Sequence, residues 1–131
     1  MTRYDMAKIL VVDDEAQVRS AVSHMLTSLG HEAFDAPDGT EALRLLDAIR
    51  FDLVIADVYM PAVDGMELLV RIHQRDPRLP VILISGGGFM SREEVLAMAA
   101  SCGAAATLDK PFTPGELRET LKPLLESPPA A

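Results

Sequence analysis

Apolar residues gather into short runs along this chain, and the stretches between the runs are polar with apolar positions three and four apart. Runs rich in branched side chains fall at Lys8 to Val12, Glu32 to Ala36, Leu53 to Ala56, Val81 to Ser85 and Ala105 to Leu108, each short enough for a strand. The second and fifth carry the weakest signal. Between the first two, Val18, Val22, Met25 and Leu29 fall on one face of a helix, and Gly30 follows as a stop in the left-handed conformation. Asp38 reads as the cap of the next helix, with Glu41 three residues on and Ala42, Leu45, Leu46 and Ile49 as its apolar stripe. Leu68, Leu69 and Ile72 mark a third helix. Ser91 with Glu94, and Thr113 with Pro114 and Glu116, read as the capping boxes of two more. Pro123 falls inside the last helix, where it lacks an amide hydrogen and crowds the preceding turn, so a kink or early end is expected near Leu121 to Lys122.

Regular alternation of strands and helices, with strands apolar on both faces, argues for a parallel sheet covered on both sides: an open α/β sandwich. At 131 residues the chain suits one domain. That domain is expected over residues 1 to 126, with a disordered tail from Ser127 to Ala131 containing Pro128 and Pro129.

Composition narrows the chemistry. One cysteine supports neither a disulfide framework nor a four-cysteine zinc site, and a reducing, cytoplasmic home is expected. The net charge of -8 opposes binding to nucleic acid or to an anionic membrane through a general field, but leaves cations and basic partners open. The N-terminus is short and mixed, and the apolar run from Ile9 to Val12 stops at two aspartates, so neither a signal peptide nor a membrane insertion is expected.

In a parallel sheet all strands point one way, so Asp13 and Asp14 after the first strand, Asp57 after the third, Ser85 after the fourth and Lys110 after the fifth lie along one edge, where ligand crevices form. Three carboxylates together repel unless a cation sits among them. A hard divalent ion, best Mg²⁺, with Lys110 beside it meets that need. His24, His31 and His73 are scattered, which argues against zinc or copper. A carboxylate, a lysine, a hydroxyl and Mg²⁺ form a site for phosphoryl transfer, with Asp57 as the nucleophile that becomes an acyl phosphate.

Each residue also has a plainer reading. Asp13 and Asp14 are equally good helix caps when taken alone, and convergence with Asp57 is what favours a metal site. Asp57 alone could be a solvated strand end, and Lys110 alone a surface lysine. Gly86 to Gly88 lack a following Gly-Lys-Ser/Thr and read as a mobile loop rather than a nucleotide cradle. His24 reads as a solvated helix residue, Cys102 as a small buried hydrophobe, and the 7 methionines as core filler.

Asp13-Asp14, Asp57 with Met60-Pro61 and Asp64-Gly65, Ser85-Gly86, and Lys110-Pro111-Phe112 together resemble the receiver domain of bacterial two-component response regulators, over about residues 7 to 126. The resemblance implies a flavodoxin-like doubly wound sheet of five strands in order 2-1-3-4-5, with five helices. It implies Asp57 as the phosphorylation site and Asp13, Asp14, Asp57 and the backbone carbonyl of Tyr59 as the Mg²⁺ site. Lys110 would be the phosphate-pairing cation and Ser85 the switch hydroxyl. It further implies a cis Lys110-Pro111 bond, a histidine kinase or histidine phosphotransfer protein as phosphodonor, and a downstream protein target. Self-phosphorylation and self-dephosphorylation are then expected, without turnover of a small molecule. Thr107 departs from the pattern, because receivers usually carry there an aromatic residue that moves with the switch hydroxyl.

Two other classes remain for comparison. A Mg²⁺-dependent phosphohydrolase with an aspartyl-phosphate intermediate wants a D-x-D pair, and Asp57-Val58-Tyr59 lacks its second acid. A flavin-binding electron carrier wants a hydroxyl-rich phosphate loop after the first strand, where Asp13-Asp14-Glu15 would repel the phosphate.

Overall fold

Branched, apolar pentapeptides build the centre of the sheet. In a computed structural model that describes residues 6–60, 63–86 and 90–126, five strands alternate with five helices. They are β1 Lys8–Val12, α1 Ala16–Ser28, β2 Glu32–Ala36, α2 Gly39–Ala48, β3 Leu53–Asp57, α3 Gly65–Arg75, β4 Val81–Ser85, α4 Arg92–Cys102, β5 Ala106–Asp109 and α5 Pro114–Glu126. All strand pairs are parallel and the order is β2-β1-β3-β4-β5. That is the flavodoxin-like arrangement expected from the resemblance. Every residue of β3 is buried, as are four of the five in β1 and in β4. The two weak strand signals belong to the edge strands β2 and β5, whose residues are mostly half-exposed and need fewer apolar side chains.

Side-chain alternation splits the core into two layers. Leu10, Val12, Val54, Ala56, Val81 and Leu83 pack with α2, α3 and α4 on one face. Ile9, Val11, Leu53, Ile55, Ile82 and Ile84 pack with α1 and α5 on the other. Several boundaries differ from the sequence reading by one residue. β3 runs on to Asp57, and β5 is Ala106–Asp109 rather than Ala105 to Leu108, because main-chain pairing with β4 continues to the Ser85↔Asp109 register.

The helix ends follow the polar signals. Asp38 accepts from the Glu41 amide, Ser91 and Glu94 form a reciprocal capping box, and Thr113 and Glu116 bond to each other's amides at 2.9 and 3.0 Å. The buried stripe of α1 is Val22 and Leu26, with Val18, Met25 and Leu29 only partly covered. Gly30 is left-handed, φ 92°, beyond the C-cap Leu29. The helix around Pro123 does not end early. It continues to Glu126 because Leu121 and Leu125, one turn apart, are both buried against the sheet, while Glu119 and Pro123 lie on the exposed side of the helix. The methionines are not all core filler. Met60, Met66, Met90 and Met98 line a surface cleft of about 460 Å³ with Val58, Tyr59 and Asp64, and Met6 is well exposed. Gly87, Gly88 and the tail from Ser127 to Ala131 lie outside the described residues. Among the described residues no helix is long and apolar enough to cross a membrane.

Candidate functional site

β1 and β3 are neighbours, with Val12 and Ala56 as Cα partners, so the residues that follow them, Asp13 and Asp57, emerge side by side at the carboxyl edge of the sheet. Both are buried, 1% and 4% exposed. Asp14 is exposed beside them. Neither Asp13 nor Asp14 is the N-cap of α1. That position is Glu15, whose side chain makes no cap bond.

Asp13 is held on several sides. Its amide donates to the Ala36 carbonyl at 3.2 Å, its carbonyl accepts from Arg19 Nη1 at 2.8 Å, and its Oδ1 accepts from the Glu15 amide at 2.9 Å. The other oxygen, Oδ2, is buried and has no hydrogen-bond partner. Lys110 Nζ stands 3.1 Å from it as an ion pair without hydrogen-bond alignment. Asp57 Oδ1 accepts from the Tyr59 amide at 3.3 Å, and Asp57 Oδ2 from Lys110 Nζ at 3.2 Å. Glu15 adds an exposed carboxylate 3.7 Å from the same ammonium.

Two glycines let these groups meet. A Cβ on Gly65 would lie 2.2 Å from the Asp57 carbonyl oxygen, and one on Gly86 2.7 Å from Lys110 Cβ. The Lys110 amide donates to the Ser85 carbonyl at 2.8 Å, and the Lys110-Pro111 bond is cis, as expected.

Burial pushes the Asp57 carboxyl above the ordinary carboxylate range. The Lys110 charge opposes the shift, and the nearby Asp13 charge adds to it. Burial alone would lower Lys110, but the carboxylates of Asp13 and Asp57 outweigh it and hold the ammonium above its ordinary value. One oxygen from each of Asp13, Asp14 and Asp57 lies within 4.8 Å of the others. Two ligands of Mg²⁺ at about 2.1 Å are at most about 4.2 Å apart, so only a small contraction separates this cluster from a coordination shell. The all-oxygen donor set, and a buried Asp13 Oδ2 that has an ion pair but no hydrogen bond, both fit a hard cation.

Asp13, Asp14, Asp57 and Lys110 therefore converge. Tyr59 belongs to the group through its amide, and its phenol accepts from the Met90 amide at 3.3 Å. Ser85 stands one strand away with its hydroxyl donating to Asp109 Oδ1 at 3.5 Å, and Arg92 Nε lies 2.9 Å from Asp109 Oδ2. Thr107 is half-buried and is the Cα partner of Leu83. Arg19, Arg92 and Asp109 escaped the sequence reading, which used Glu15 only as a charge that would repel a flavin phosphate. The period-2 alternation that puts Asp109 on the face of Thr107, in register with Ser85, was the available signal for the last of them.

The model of the response regulator receiver domain matches residues 9–122. The chemotaxis protein CheY of Pseudomonas aeruginosa is 34% identical over 122 residues, 91% of this chain and 96% of that protein. The alkaline phosphatase synthesis transcriptional regulatory protein PhoP of Bacillus subtilis is 30% identical over 118 residues, and this chain spans only 48% of its length. Among solved structures, chemotaxis protein CheY4 of Vibrio cholerae superimposes with a TM-score of 0.83 at 36% identity, covering 91% of this chain and 98% of that one. With its fold, its acidic edge and these relatives in agreement, the chain belongs to the receiver-domain family of response regulators.

Proposed function

We propose that Asp57 accepts a phosphoryl group from the phosphohistidine of a histidine kinase or histidine phosphotransfer protein. A carboxylate oxygen of Asp57 forms a new P–O bond while the P–N bond of the phosphohistidine breaks and the imidazole nitrogen keeps the electron pair. The observation that carries this reading is a nearly buried carboxylate at a strand end, 3.2 Å from the Lys110 ammonium and ringed by two further carboxylates.

Asp13, Asp14, Asp57 and the backbone carbonyl of Tyr59 would hold Mg²⁺, which when bound neutralises charge on the transferred group's oxygens. Lys110 pairs with a phosphoryl oxygen, and its distance from both buried carboxylates already fixes where its charge sits. The hydroxyl of Ser85 turns to donate to the new phosphoryl group. Thr107 has no ring with which to follow that motion, so the change passes through the segment after Ser85 and through α4 to a downstream protein. The domain works in the cytoplasm, turns over no small molecule, and acts through protein contacts rather than on nucleic acid. Acyl-phosphate chemistry without a second acid at Tyr59 suits a signalling domain better than a phosphohydrolase.

Incubation with Mg²⁺ and a small phosphodonor tests this. Intact mass should rise by one phosphoryl group in the wild type and not in Asp57→Asn. Full labelling of Asp57→Asn would overturn the assignment.

A further inference from the structure

Ser85 and Asp109 are the last Cα partners of the β4–β5 ladder. In a parallel pair, registered residues present their side chains to the same face. For this pair it is the face of Leu83, which packs with Val95 and Ala99 of α4. Thr107 stands two residues earlier on that face, as the partner of Leu83. The position where receivers usually carry an aromatic ring therefore holds a small hydroxyl residue, and the polar side chain that meets Ser85 comes from one pleat further along.

The Asp109 carboxylate has two claimants. Oδ1 accepts the Ser85 hydroxyl at 3.5 Å, a long and weak hydrogen bond, and Oδ2 pairs with Arg92 Nε at 2.9 Å. Arg92 is the first residue of α4. This short chain of contacts thus joins the end of β4 to the first turn of α4. A second contact reaches the same place from the other side, where the Tyr59 phenol accepts from the amide of Met90. The helix receiving both is thinly anchored: Val95 and Ala99 are its buried residues, while Leu96 and Met98 are exposed.

We infer that Asp109 is a positioning residue that holds the Ser85 hydroxyl away from Asp57 until a phosphoryl group competes for it, and that Arg92 weakens this hold by drawing on the same carboxylate. The inference rests on the reading of Asp57 as phosphoacceptor. On phosphorylation the Ser85 O–H leaves Asp109 Oδ1 and donates to a phosphoryl oxygen. Asp109 then keeps Arg92 as its partner, so the change is delivered to the first turn of α4. A weak hydrogen bond suits the role, since a strong one would keep Ser85 from ever leaving.

The test is the affinity for beryllium trifluoride, as a phosphoryl mimic, in the presence of Mg²⁺, measured for the full chain by titration of backbone amide resonances. Asp109→Ala removes the competing acceptor and should tighten binding by about two- to fivefold, the lower range for loss of one hydrogen bond. Arg92→Ala leaves Asp109 free to hold Ser85 and should weaken binding. Both substitutions also change the local charge, so each is repeated in Ser85→Ala, where a hold acting through the hydroxyl can have no effect but a general field persists. Loss of both effects in the Ser85→Ala background supports the inference. Equal effects with and without the Ser85 hydroxyl, or wild-type affinity in both single variants, would overturn it while leaving the phosphoacceptor reading standing. No binding of the mimic by the wild type would overturn both.

Discussion

A Cβ on Gly65 would lie 2.2 Å from the carbonyl oxygen of Asp57, so the first residue of α3 touches the main chain of Asp57 itself. Its amide also donates to the Val58 carbonyl at 3.1 Å. The start of α3 therefore fixes where β3 ends and where the Asp57 side chain begins.

Gly65→Ala should accordingly harm both stability and phosphorylation. The atom in the way is backbone, which cannot rotate aside, and Val58 beside it is buried. The expected loss is about 1–3 kcal/mol, as for overpacking elsewhere in protein cores. Urea unfolding measures the first effect and phosphodonor labelling the second. Wild-type values for both would mean that α3 can shift without moving Asp57.

Mg²⁺ should stabilise the wild type by mass action, by about 2.7 kcal/mol at a hundredfold excess over its dissociation constant. Asp13→Asn and Asp14→Asn should each reduce that gain. Asp13→Asn keeps the oxygen that accepts from the Glu15 amide, so its fold is not placed at risk. Without metal it should be no less stable than the wild type, because it removes a buried charge beside Asp57. Thermal unfolding with and without Mg²⁺ checks both statements, and unchanged Mg²⁺ dependence in both variants would remove these carboxylates from the metal site.

Much of this was legible in the chain because the relevant signals are local. Short apolar runs marked all five strands, strongly for β1, β3 and β4 and weakly for β2 and β5, and Asp38, Ser91 and Thr113 marked helix starts. The acidic cluster was legible for a different reason. A parallel sheet sends all its strand ends to one edge, so Asp13, Asp57 and Lys110 meet as soon as the strands are known. What stayed hidden depended on packing between elements. Leu26 is the most deeply buried residue of α1 because of how the helix is rotated on the sheet, a rotation that spacing alone leaves undetermined. Of the kink or early end expected at Pro123, the early end does not occur, because the burial of Leu125 outweighs the lost bond there. Asp109 and Arg92 meet only through the exact register of β5 on β4 and the approach of α4.

His31 gives the fold a pH dependence away from the site. Its Nδ1 accepts from the Ala7 amide at 3.1 Å, an arrangement open only to the neutral ring. Burial lowers its pKa, and the Asp52 charge partly opposes this. The unfolded chain titrates near 6.5. The contribution of the neutral ring is therefore complete above that value and is lost as pH falls through the lowered folded value. Melting temperatures of wild type and His31→Gln should converge below that window and diverge above it. Asp52→Asn should lower the His31 pKa further, which the imidazole proton resonances report directly. A His31 pKa at or above 6.5 would remove this effect.

Among the described residues Lys110 is the only cation paired with the carboxylate oxygens of Asp13 and Asp57, and its removal should expose how poorly those two carboxylates tolerate each other. Asp57 already stands above its ordinary 3.8, through burial first, with Lys110 opposing the shift and Asp13 adding to it. In Lys110→Met the opposing charge is gone, so the Asp57 pKa should rise further. A folded-state pKa raised above the unfolded one means that the folded chain binds the proton more tightly. Stability is then lost as pH rises from about 3.8 through the raised value, and is level above it. Metal-free Lys110→Met should be less stable than wild type at neutral pH by about 1–3 kcal/mol, the cost of leaving a buried charged group without its partner. The deficit should shrink on acidification. It should also shrink with Mg²⁺, which supplies positive charge at the same oxygens, and with Asp13→Asn added, which removes half of the repelling pair. Urea unfolding across pH, with and without Mg²⁺, distinguishes this from loss of the lysine stem's packing. A packing defect would be the same at every pH and blind to the metal.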